Sequence, residues 1–110
     1  MESSKNLDRL NNFVTELLRI DVLPKEDRYT AYDQLFTSGL EALDFPIPSF
    51  SYHDLTKRYV RTRRFAYENA SEDIRLVIVL TTGHSDALYV SGRLGSKQLA
   101  FFRGEGRVPR

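Results

Sequence analysis

Five of the eight residues from Lys57 to Arg64 are basic, namely Lys57, Arg58, Arg61, Arg63 and Arg64, and no acid stands among them. In an extended strand, residues two apart share a face. The odd positions Tyr59, Arg61, Arg63, Phe65 and Tyr67 are therefore predicted on one face, and Arg58, Val60, Thr62, Arg64 and Ala66 on the other. Guanidinium groups beside aromatic rings suit nucleic acid, because the cations take phosphates while the rings stack on bases. The same pattern has a plainer use: rings in a core, and arginines at a strand edge where charge blocks aggregation, or paired with acids elsewhere. After residue 92 the chain adds Arg93, Lys97, Arg103, Arg107 and Arg110 against a single acid, Glu105. Lys57, Arg58, Tyr59, Arg61, Arg63, Arg64, Arg103 and Arg107 are the residues predicted to meet a partner.

Other reactive types are sparse. His84 stands in Gly83-His84-Ser85-Asp86, a turn-like stretch, where solvent exposure is the ordinary fate of a histidine. With a carboxylate such as Glu68 or Glu72 it could supply the acid–base chemistry of a small ribonuclease, which needs convergence in space. His53 is the second histidine, and there is no cysteine. The chain thus offers no thiol nucleophile, no disulfide and no cysteine metal site, and two isolated histidines make a poor zinc centre. Gly92-Arg93-Leu94-Gly95-Ser96-Lys97 contains glycine, serine and lysine but lacks the spacing and the strand–loop–helix setting of a phosphate loop. No catalytic residue, metal site or cofactor is predicted.

These residues must be held by elements that the hydrophobic pattern identifies. Leu7, Leu10, Phe13, Val14, Leu17 and Leu18 recur at helical spacing, and Pro24 closes that stretch. Pro24-Lys25-Glu26-Asp27 opens a second helix, with proline and acids placed where the first turn favours them. Its stripe is Tyr29, Tyr32, Leu35, Phe36, Leu40 and Leu43, interrupted by Gly39, which implies a kink or a close neighbour. Pro46 and Pro48 end it. Beyond Ser49 the period falls to two. Strands are predicted at Lys57–Tyr67, Asp73–Thr82, Ala87–Ser91 and Lys97–Arg103, with turn-rich separators at 68–72, 83–86 and 92–96. Phe50, Tyr52 and Leu55 add a short strand or a turn before them.

The fold class that follows is α+β: an N-terminal antiparallel helical hairpin packed on an antiparallel meander of four strands, or five if the Phe50 segment joins. At 110 residues one domain is expected, spanning 1–103, with 104–110 as a flexible basic tail. Apolar residues make up 41% of the chain and charged residues 28%, which places it among folding rather than disordered sequences. No apolar run approaches the ~20 residues that span a bilayer, and no signal segment is evident, so an intracellular location, cytoplasmic or nuclear, is expected.

The formal net charge of +1 conceals a division. Residues 1–56 hold five Lys/Arg against ten Asp/Glu, and residues 57–110 hold eleven against five. The halves attract each other, or the basic half meets a negatively charged partner. Three functions remain in this order: a non-enzymatic nucleic-acid-associated protein, a protein-interaction module facing an acidic surface, and a small ribonuclease.

Overall fold

Apolar side chains at three- and four-residue spacing make the first forty residues helical. In the computed structural model, which describes residues 2–43 and 50–104, α1 runs over Glu2–Asp21 and α2 over Lys25–Gln34. Pro24 is the N-cap of α2, and its carbonyl accepts from the amides of Asp27 and Arg28. The second helix continues through a π-helical turn, Leu35–Gly39, into α3, Leu40–Leu43. The chain divides into two compact units, Met1–Phe45 and Pro46–Arg110.

Within the first unit the helices are antiparallel, as the side-chain contacts require. Tyr32 donates to the Asp21 carboxylate at 2.8 Å, Phe13 meets Phe36 edge-to-face at 5.6 Å, and Arg9 donates to the Leu43 carbonyl at 3.0 Å. Leu10, Phe13, Val14, Leu17, Ile20, Tyr32, Phe36 and Leu43 are buried, while Leu35 and Leu40 of the predicted stripe are half-buried. Gly39 answers to a close neighbour. A Cβ there would stand 3.1 Å from Leu35 Cδ1 and 3.4 Å from a Phe13 ring carbon. Gly39 is the last residue of the π-helical turn.

The second unit is a five-stranded antiparallel meander in the order β1-β2-β3-β4-β5, with β1 Phe50–Lys57, β2 Val60–Asn69, β3 Ile74–Gly83, β4 Ala87–Leu94 and β5 Lys97–Gly104. The doubly apolar strand, β3, is central. Several boundaries differ from expectation. The predicted strand Lys57–Tyr67 is the end of one strand and most of the next. Arg58 and Tyr59 have φ of 51° and 66°, the two positive values of a type I′ hairpin link, so the period of two breaks there. The predicted separator at 92–96 shrinks to Gly95-Ser96, because β4 runs on through Gly92 to Leu94. Gly92, with φ of 136°, sits opposite Leu76, and a Cβ on it would lie 1.8 Å from the Arg75 carbonyl oxygen. That glycine marks backbone proximity inside the sheet, not a turn. Gly104, placed in the tail by sequence, pairs with Ala87. The remainder of the predicted tail lies outside the described residues.

Candidate functional site

Directly paired residues of an antiparallel sheet share a face, so the register sorts the cations of the second unit. Arg61 and Arg63 pair with Thr82 and Leu80, on the face that also carries Phe65, Tyr67, Ile74, Leu76, Ile78, Leu88 and Val90, all buried. Arg63 is only 2% exposed. Arg61 grips Asp54 of β1 with two donors, Nε to Oδ1 at 3.0 Å and Nη2 to Oδ2 at 2.6 Å. This hydrogen-bonded guanidinium, and after it the charges of Arg61 and Arg63, hold the Asp54 carboxyl below its ordinary value, against the opposing effect of burial. Arg103, on the same face opposite Leu88, reaches the carboxylate and carbonyl of buried Asp86 at 3.4 and 3.5 Å. Of the predicted partner-binding arginines, Arg63 is thus buried, while Arg61 and Arg103 are held by carboxylates, the Arg61 side chain remaining 41% exposed.

The opposite face is different. It carries Lys57, Arg64, Arg75 and Arg93, all exposed. Arg93 donates to the Gly95 carbonyl at 3.0 Å and stands 3.8 Å from Asp73, an ion pair open to water. Lys57, Arg64 and Arg75 have no ion pair among the described residues. Tyr89 and Phe102 are cross-strand neighbours on this face, half-buried and 39% exposed. Glu68, opposite Arg75, is its acid.

At the β1–β2 link, Arg58 is exposed and Tyr59 is 80% exposed. Tyr59 departs from its expected place beside Arg61 and Arg63, because it belongs to the turn. Its carbonyl accepts from the His84 amide at 3.0 Å, and its ring is 5.4 Å from the His84 ring. Gly83, next to His84, pairs with Val60, whereas Glu68 pairs with Arg75. Eight residues of β2 separate the two positions, roughly 27 Å at strand rise. Glu72 lies with Glu68 at the far end, where it accepts from Asn69 at 2.8 Å. Neither carboxylate named for the ribonuclease reading meets His84. Arg107 lies outside the described residues.

Arg75 and Arg93 are the residues that sequence reasoning left out of the set. Their signal was available: in Ile74–Thr82 the odd positions alternate against the buried even ones, which puts Arg75 on the face of Val77 and Val79. What was missing was the register that places Arg93 directly opposite Arg75. Among the described residues no helix is long and apolar enough to cross a membrane. No protein-family model, curated protein or solved structure matches the chain.

Proposed function

We propose that the chain is a non-enzymatic nucleic-acid-binding protein whose binding surface is the exposed sheet face together with the adjoining β1–β2 link. One observation carries this reading. Lys57, Arg58, Arg64 and Arg75 are exposed and have no ion pair among the described residues, whereas Arg61 and Arg103 are held by carboxylates. Unpaired surface cations spread along one face of a small sheet and its adjoining link create a positive field that attracts a polyanion. Exposed aromatic surface at Tyr59, Tyr89 and Phe102 gives bases something to stack on. An intracellular location is the setting that goes with a nucleic-acid partner.

The test is direct. Protein purified from cells is expected to carry a raised 260/280 nm absorbance ratio that falls after a high-salt wash, and to bind labelled RNA or DNA at low salt. An acidic protein surface would use the same cations. Absence of RNA and DNA binding at low salt rules out the nucleic-acid reading and leaves that alternative.

A further inference from the structure

The exposed face of the sheet has an internal order beyond its charge. One row of directly paired residues crosses all five strands: Ser51, Ala66, Val77, Ser91 and Ala100. Every member is small, or at most a valine, and every one is exposed or half-buried. On one side of this row run His53, Arg64, Val79, Tyr89 and Phe102, and on the other Glu68, Arg75, Arg93 and Gln98. A low floor between two rows of mostly longer side chains is a trough, whose first wall is low at β3, where Val79 is buried. Two depressions lie along the floor and its Arg75 side, with Tyr89 and Phe102 standing outside both. One, of about 310 Å³, is lined by Ser51, Arg64, Ala66, Glu68 and Arg75 among others. The other, of about 560 Å³, includes Arg75, Ser91, Arg93, Gln98 and Ala100, with Glu68 and Asp73 as its acids. Glu68 and Arg75 belong to both, so the depressions adjoin.

We propose that this trough seats a single-stranded nucleic acid lying across the strands, with Tyr89 and Phe102 stacking bases and Arg64, Arg75 and Arg93 holding phosphates. This rests on the nucleic-acid reading and makes it specific. Five strands at the usual spacing give the trough a length of roughly 19 Å, and the aromatics of a four-stranded RNA-binding sheet stack two or three bases. The wall rows stand two residues to either side of the floor, roughly 7 Å each way along the strands.

A duplex keeps its base faces stacked on one another and offers only edges and phosphates, so it cannot use Tyr89 and Phe102. An extended peptide would seek an edge strand, where backbone groups are free. The middle of this face has its backbone already paired and presents only side chains. Its rings and guanidinium groups answer to unstacked bases and phosphates. The Arg93–Asp73 pair, at 3.8 Å and open to water, is weak enough for a phosphate to replace.

The test fills the floor without touching a charge. Ala66→Ile with Ser91→Ile places two β-branched side chains in the trough on positions that strands favour. Binding of labelled RNA and DNA of about nine nucleotides, a length within the footprint of small single-strand binders, is compared with that of the matching duplex. The filled variant should bind single strands at least tenfold more weakly while melting like the wild type. Tyr89→Ala and Phe102→Ala should each weaken single-strand binding by roughly five- to a hundredfold and leave duplex binding unchanged. If the filled variant does not fold, these two substitutions decide alone.

Wild-type affinity in the filled and ring-truncated variants, with binding lost instead on Lys57→Gln and Arg58→Gln, would overturn the trough yet keep the nucleic-acid reading. A duplex bound as tightly as the single strand would also overturn it. No binding of any oligonucleotide by the wild type would overturn both. Comparison of the RNA and DNA arms identifies which strand the trough prefers.

Discussion

Arg63 and Arg64 are adjacent in the chain and stand on opposite faces of β2, one 2% exposed and one open to water. Their substitution should therefore give opposite results. Arg63→Glu puts a second carboxylate beside Asp54 on the buried face, and disruption of a buried charge arrangement costs about 3–5 kcal/mol. Arg64→Glu should leave the melting temperature within a few degrees of wild type and weaken oligonucleotide binding. Circular dichroism melts with a binding assay separate the two. Asp54 supplies a pH-dependent check. Its carboxyl is held below the ordinary value of 3.8, first by the Arg61 hydrogen bond and then by the charges of Arg61 and Arg63. A depressed carboxylate stabilises the fold fully above its unfolded pKa, and that contribution fades as pH falls through the lower folded value. Asp54→Asn should thus lower stability at pH 7 by about 0.2–1 kcal/mol, since the pair is partly solvated. The gap from wild type should narrow as pH falls below 3.8, as urea midpoints at several pH values would reveal. The residue types of this site were legible in the sequence, but their sides were not. Alternation alone placed Arg61 and Arg63 together correctly, and could not say which face of β2 was the buried one.

At the scale of elements, two glycines carry information that composition alone misreads. Gly39 sits under Phe13, and the Phe13–Phe36 contact beside it fixes the helical pair. Phe36→Ala should cost about 3–5 kcal/mol, read as a lower denaturation midpoint. Gly92 lies inside β4, where any Cβ meets the Arg75 carbonyl. Gly92→Ala should destabilise the protein by more than about 1 kcal/mol, and a melt unchanged from wild type would show that β4 and β3 do not approach so closely. Both helices and the four later strands were readable because apolar spacing changes sharply from helical to alternating at Ser49. The first strand was read only as a fragment, because as an edge strand it is mostly exposed and its polar residues His53, Asp54, Thr56 and Lys57 hide the alternation. The Arg58–Tyr59 link was missed for a different reason: two-residue hairpin links usually contain Asn or Gly, and this one places bulky residues at positive φ.

For the whole molecule, charge is the property on which the proposed function rests. The half of the chain from residue 57 onward holds six more cations than acids, and the sheet engages part of that excess in pairs with Asp54 and Asp86 and leaves part on one exposed face. If the exposed part binds a polyanion, counterion release makes the affinity fall steeply with salt, with a slope of about −0.7 per phosphate contact on single strands. The decisive measurement is the salt dependence of single-stranded RNA binding by the wild type and by Arg64→Gln with Arg75→Gln. Binding should be measurable at low salt, and the double substitution should reduce the magnitude of the slope by about 1.4 without altering the melt. An unchanged slope, or no binding by the wild type at low salt, would contradict a nucleic-acid-binding role for this face.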